Sequence, residues 1–139
     1  MRSSAASDVY KRQIVNVSGA SEVFGYGFVT YSNKAKHKCL GVKKRTLKEQ
    51  GAVSAKCARE MAKGACKASG ADISISVTGL AGPGGGTKET PVGTVFMGCC
   101  YKGKAIAKEF HFTGNRMRIR EQTTAHALAM LRDCIIMSR

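Results

Sequence analysis

The sequence predicts an α/β domain: a three-layer α/β/α sandwich built on a mixed β-sheet. Helical stripes alternate with short β-rich runs along most of the chain, which is the pattern of helices layered on a sheet. A two-residue turn joins two of the late β-rich runs, so at least one pair is a hairpin and the sheet is not purely parallel. Finally, "VTGLAGPGGGTKETPVGTV", residues 77 to 95, gathers six of the sixteen glycines and both prolines directly after a β-rich run, where α/β folds open their ligand loops.

Residues 1–13, "MRSSAASDVYKRQ", have neither helical nor strand periodicity and read as a leader or scar outside the domain, which is expected over 14–139. Glu22 to Tyr31, "EVFGYGFVTY", is rich in aromatic and β-branched residues and is closed by the polar "SNK", which predicts a strand. One or two helical turns follow from Lys34 to Leu40, stopped by Gly41, and another short helix from Arg45 to Gln50, stopped by Gly51. Ser54 is a good N-cap for a helix running to Ser69, with Gly70 as its stop. Its apolar positions, Cys57, Ala58, Met61, Ala62, Ala65 and Cys66, make one stripe.

Ile73 to Val77 is a β-rich run leading into the glycine loop, and Gly93 to Cys100 is a second. The stretch 101–104, "YKGK", turns the chain into a third strand ending near Phe112. A last helix from about Arg116 to Ile136, capped by Asn115, is expected to bury Thr124, Ala127, Leu128, Leu131, Cys134 and Ile135.

A chain of 139 residues holds one core. No apolar run approaches the ~20 residues a spanning helix needs, and no apolar signal-peptide stretch stands at the N-terminus, so no membrane partner and a cytoplasmic location are expected. Six cysteines (39, 57, 66, 99, 100 and 134) include no CxxC. With Cys57, Cys66 and Cys134 on apolar faces, they are expected to be reduced, buried thiols and not a metal site. The net charge of +14, from 23 Lys and Arg against 9 Asp and Glu, implies anionic company. Its basic residues are dispersed, with Lys43-Lys44-Arg45 and Arg116, Arg118 and Arg120 the densest groups. No aromatic stacking motif accompanies them, so a nucleic-acid-binding reading ranks last.

The glycine loop fits neither named phosphate pattern. Thr87-Lys88 reverses the order that GxxxxGK[ST] requires, and Gly82, Gly84 and Gly86 are spaced two and two, with Thr87 where GxGxxG needs its last glycine. Pro91 leads onward into a strand, so no helix N-terminus follows. Backbone amides in such a loop can still approach phosphate or carboxylate oxygens. No GxSxG elbow is present, and His37, His111 and His126 have no evident partner, leaving a serine triad unsupported. Lys36 in "YSNKAK" sits one turn past the expected strand end, where partial burial and neighbouring cations would favour the neutral amine that a general base requires; a solvated lysine in a lysine-rich stretch is the alternative reading.

Taken together, "SGASEVFGYGFVTYSNKAK", "LGV", "GAVS", "SVTGLAGPGGGTKETPVGTV" and "FTGNRMRIREQT", in that order from about Asn16 to the end, resemble the C-terminal domain of CinA and the stand-alone nicotinamide-nucleotide amidohydrolases similar to it. The resemblance implies hydrolysis of the carboxamide of nicotinamide mononucleotide to nicotinic acid mononucleotide and ammonia, without cofactor or metal, in pyridine-nucleotide salvage. It maps the catalytic lysine to Lys36, with Tyr31 and Asn33 beside it. The ligand-facing loop maps to Gly79, Gly82, Gly84, Gly85 and Gly86, with Thr78, Thr87 and Thr94, and the arginines near the start of the last helix map to Arg116 and Arg120, where phosphate contact is expected. Relatives are commonly oligomeric, so a homo-oligomer is open.

Three departures bear on activity. Family members carry an upstream strand and helix around a Glu-Ser-Cys-Thr-Gly-Gly motif with the nucleophilic serine, and this sequence does not contain that motif. Ser4, Ser7 and Ser18 lack the flanking glycines and helix start to replace it. Thr90 stands where the family has a basic residue, and Asn115 where it has an aspartate. The expectation is therefore an amidohydrolase-like domain impaired in catalysis, with a noncatalytic nucleotide-binding module as the alternative, and with a bared sheet edge that favours association.

Overall fold

The computed structural model describes residues 13–137. After a 3₁₀ turn at Ala20–Glu22, its elements are α1 (Asn33–Leu40), α2 (Lys44–Glu49), α3 (Ala55–Ser69), β1 (Ile73–Gly79), β2 (Thr94–Tyr101), β3 (Lys104–His111) and α4 (Arg116–Met137). Local signals set most of these bounds. Ser32 Oγ accepts from Ala35 N at 3.0 Å to open α1, Ser54 Oγ accepts from Cys57 N at 3.2 Å to open α3, and Asn115 Oδ1 accepts from Arg118 N at 2.9 Å to open α4. Each satisfies a donor that the first helical turn otherwise leaves unpaired.

The sheet runs in the order β1-β2-β3. Both of its ladders are antiparallel, pairing Val77 with Met97 and Met97 with Lys108 at their centres, so among the described residues the sheet has no parallel pair of the kind a mixed sheet contains. The turn between β2 and β3 holds Lys102 and Gly103 at φ 50 and 79, the left-handed pair that matches strand twist in a two-residue hairpin. Helices cover both faces, giving the expected three layers. On one face Val77, Val95, Met97 and Cys99 pack with Phe112 and with Ile119, Ala127 and Met130 of α4. On the other side α3 lies against the sheet and joins Leu40, Val42, Cys57 and Met61 in a second cluster, with Phe28, Leu47 and Ala65 at its margin.

The α3 contact is close because the facing residues are small. Ser76 Oγ donates to the Ala58 carbonyl at 2.6 Å and Ser74 Oγ to the Ala62 carbonyl at 2.6 Å. Across the ladder from Ser76 stands Gly98, where a Cβ would collide with the Ala58 carbonyl oxygen. The other side of α3 is equally tight, since a Cβ on Gly64 would meet the Leu40 carbonyl oxygen of α1.

Two expectations need correction. Glu22 to Tyr31 is not a strand: after the 3₁₀ turn, 24–30 carries no ladder among the described residues. Val23 is 87% exposed, Tyr26 62% and Val29 51%. Its β-rich composition has no neighbour at ladder distance, because a groove of about 470 Å³ separates it from the outer edge of β1. The buried face of α4 is also rotated from the expected one: Ile119, Thr123, Thr124, Ala127 and Met130 are buried. Leu131 and Ile135 line the groove instead, and Ile135 is 41% exposed. The reason is that β1 and β2, the strands α4 contacts, leave that end of the helix unroofed.

Ser76→Ala is expected to lower stability by about 1–2 kcal/mol through the lost buried hydrogen bond. Gly98→Ala should cost about 1–3 kcal/mol by prising α3 off the sheet. Urea midpoints that do not move in either variant would contradict the packing just described. With an unpaired β1 edge beside an apolar groove, the isolated chain is expected to show concentration-dependent association in light scattering.

Candidate functional site

Among the described residues, Lys36 is the one buried charged side chain. It lies in the first turn of α1 with 2% of its surface exposed, and its Nζ donates to the Thr30 carbonyl at 2.7 Å. A primary amine this deep must be held by specific acceptors, because transfer from water is otherwise costly. The extended segment 24–30 therefore serves α1 directly, delivering the Thr30 carbonyl to Lys36, with the Ser32 cap immediately after it. The family-derived neighbours of Lys36 divide. Tyr31 is 41% exposed, and Asn33 faces the cleft between α1 and α2 with Lys34, His37, Lys38, Lys44 and Lys48.

Beneath Lys36 is the start of α3. The Cys57 thiol is pushed up to about 11, first by burial, with the Lys36 charge opposing and the Glu60 charge adding to the rise. Glu60 is itself committed, accepting from Thr46 Oγ1 at 2.6 Å and from Lys43 N at 2.9 Å. Sequence reading did not single out Glu60; its position one turn after Cys57 on the stripe-bearing helix was the available signal.

The glycine loop begins at the end of β1 and is anchored from within. Thr78, 1% exposed, donates from Oγ1 to the Ala52 carbonyl at 2.7 Å. Thr94, 2% exposed, donates to the Pro91 carbonyl at 2.7 Å. Gly79 packs against β2 so closely that a Cβ would lie 2.8 Å from Val95. Thr87 closes a small turn, its amide donating to the Thr90 carbonyl and its Oγ1 accepting from the Thr90 amide, both at 2.9 Å. Between these anchors Gly82 has φ 78 and is joined to Pro83 by a cis peptide. A Cβ on Gly84 would meet nothing within 4 Å, and on Gly85 only Leu80 at 3.6 Å, whereas on Gly86 it would lie 2.8 Å from the Val92 amide nitrogen. The stretch 83–89 is exposed.

Arg116 joins the loop to α4: its Nη1 donates to the Gly82 carbonyl at 2.7 Å. The side chain is partly exposed, and so is that of Arg120 one turn on. The structure thus brings Arg116 onto the glycine loop. It also places Lys36 and the loop root on either side of the α3 start, through Thr78 to Ala52 and through Cys57. The apolar groove along 21–30 is lined by Thr30 but not by the glycine loop. Among the described residues, no group of three or more His, Cys, Asp or Glu is arranged to hold a metal, and no helix is long and apolar enough to cross a membrane.

A three-layer α/β/α domain with a glycine loop leaving a strand, an arginine laid on that loop and a buried lysine across the start of α3 from the loop root defines the class. The family model described as CinA C-terminal domain matches residues 4–135, and the chain belongs to that family. It is 53% identical over 124 residues to a protein named as competence-damage inducible from Clostridium novyi (strain NT), a match covering 89% of this chain and 30% of that one. A counterpart from Caldicellulosiruptor bescii gives the same identity and coverage. Among solved structures, the competence/damage inducible protein CihA from Agrobacterium tumefaciens has a TM-score of 0.88 at 40% identity, over 92% of this chain and 79% of that one. The competence damage-inducible protein A of Klebsiella pneumoniae reaches 0.90 at 32% identity, over 96% and 83%. The chain spans about 30% of the length of the curated relatives it matches.

The Cys57 environment has a pH signature. Its thiol ionises near 9.0 when unfolded and near 11 when folded, so above pH 9 the unfolded chain sheds the proton first. Stability is then expected to fall as pH rises from 9 to 11, by about 1.4 kcal/mol per unit from this group. Cys99 and Cys100, also pushed up by burial, act in the same direction. Urea midpoints across that window should decline less steeply in Cys57→Ala, and identical slopes would refute the assignment.

Proposed function

We propose that this domain binds a pyridine mononucleotide on the glycine loop and carries the proton-transfer half of an amidohydrolase site acting on the carboxamide of nicotinamide mononucleotide. The observation that carries the reading is Lys36: 2% exposed, with its Nζ 2.7 Å from the Thr30 carbonyl, a lysine withdrawn from solvent beside the start of α3. A fixed amine suits transfer of a proton to or from an attacking hydroxyl and a departing ammonia. The open amides of 84–86 suit a developing oxyanion or a carboxamide oxygen. Arg116, already oriented by Gly82, and Arg120 supply the cations for a phosphate.

In the family resemblance the attacking hydroxyl belongs to the Glu-Ser-Cys-Thr-Gly-Gly motif, and this sequence does not contain it. The serines and threonines flanking the loop root do not replace it: Thr78, Thr94 and Ser54 donate to main-chain carbonyls. That observation favours the second reading, a nucleotide-binding module in which turnover is vestigial.

Two measurements decide between them. Ammonia release from nicotinamide mononucleotide is expected to be about 10⁶ below that of a relative carrying the serine motif; turnover within tenfold of such a relative would establish the catalytic reading instead. Calorimetry with the same nucleotide should show saturable binding that Arg116→Ala weakens by about tenfold or more. The absence of saturable binding, together with an affinity for single-stranded nucleic acid that drops steeply with salt, would replace both readings by a polyanion-binding one.

A further inference from the structure

Consecutive strand residues point to opposite faces, so the adjacent Cys99 and Cys100 of β2 address different helix layers. Cys99 lies in the cluster beneath α4, and Cys134 from the penultimate turn of α4 packs against that cluster. After burial, the neighbouring Cys134 thiol is the largest influence pushing the Cys99 thiol up. Cys100 looks the other way, toward α3. There the Cys66 thiol donates to the Cys100 carbonyl oxygen at 3.7 Å and, after burial, contributes to the rise of the Cys100 thiol. In both pairs one member is buried in the sheet and the other, on a helix, is half-buried. The remaining two cysteines stand apart, Cys39 exposed on α1 and Cys57 buried at the start of α3.

We infer that Cys99–Cys134 and Cys66–Cys100 are two oxidative modification sites, which close as disulfides under a hydroperoxide and staple both helix layers to one point of the middle strand. The half-buried helix thiol is the entry. Its thiolate attacks a peroxide oxygen, the O–O bond breaks, and a sulfenic acid and water result. The strand thiol then attacks the sulfenic sulfur, the S–S bond forms, and the hydroxyl leaves as a second water once the thiol proton is taken up. Two thiols are oxidised and one hydrogen peroxide is reduced to two waters. The order follows from access, since the helix thiols are half-buried and reach solvent peroxide while the strand thiols are buried.

Geometry excludes the other pairings. Cys66 and Cys134 are on opposite sides of the sheet, and the Cys99 and Cys100 side chains diverge. The paired residues are 34 and 35 positions apart in sequence, long enough that each bond removes substantial freedom from the unfolded chain. Both staples sit toward the Tyr101 end of β2, away from Thr94, where the glycine loop rejoins the sheet, so oxidation leaves the loop in place.

The test is to treat the chain with hydrogen peroxide, block remaining thiols and map peptides without reduction. Because Cys99 and Cys100 share a peptide, Cys100→Ser should retain only the link to Cys134 and Cys99→Ser only the link to Cys66. Should either buried serine prevent folding, Cys134→Ala and Cys66→Ala, at half-buried positions, each remove one link and keep the other. The melting temperature of the oxidised chain should rise by roughly 10 °C per bond and return on adding dithiothreitol, with Cys39→Ala unchanged in both respects. Links through Cys39 or Cys57, links between molecules, formation of only one pair, or advance to sulfinic acid without any bond would overturn the inference.

Discussion

The structure depends on how α3 is locked to β1. Ser74 and Ser76 are two residues apart on the strand and donate to Ala62 and Ala58, four residues apart on the helix. Four helical residues advance about 6 Å and two strand residues about 6.7 Å, so the two hydroxyls meet successive carbonyls of one helix face. Those carbonyls already accept the helix's own amides and use a second lone pair for the serines. Gly98, Ala58 and Ala62 leave no side-chain volume in between, and the helix backbone lies on the sheet. A one-residue slip of either element would bury an unpaired hydroxyl, which fixes the register.

The same series of hydroxyls continues into the site. Thr78, two residues past Ser76, donates to Ala52, just before the Ser54 cap of α3. The end of β1, from which the glycine loop departs, is thereby tied to the loop that starts α3. Lys36 approaches from the other side, where its charge is felt at Cys57. The close contact of Gly64 with Leu40 holds α1 against α3 and so sets how deep Lys36 sits. Arg116 closes the arrangement from α4 by bonding Gly82. Three helices thus converge on one end of a three-stranded sheet, and the loop between β1 and β2 is held at its base while 83–89 remain exposed.

Membership of the CinA C-terminal domain family agrees with this arrangement, since solved members superpose over more than nine-tenths of the chain. The most prominent apolar feature nevertheless lies elsewhere, between 21–30, the β1 edge and the end of α4. It belongs to the packing of the sheet edge, whereas the polar geometry gathers at the opposite end of β1. The groove and the buried amine meet at Thr30, which lines the groove and whose carbonyl accepts from Lys36.

The sequence by itself determined the elements whose energetics are local. Ser32, Ser54 and Asn115 open their helices, Gly41 and Gly70 end theirs, and Lys102-Gly103 makes the hairpin, because a cap or a tight turn is decided by atoms a few bonds apart. The motifs carried by the glycine loop, "YSNKAK" and "FTGNRMRIREQT" were enough to indicate the family. Tertiary structure decided the rest. Whether "EVFGYGFVTY" is a strand depends on a neighbour at ladder distance, and none is provided among the described residues. Which side of α4 is buried depends on how far the sheet extends beneath it. The burial of Lys36 depends on a carbonyl six residues back and on a helix twenty residues ahead; composition marks such a lysine as surface, and only its neighbours in space make it otherwise.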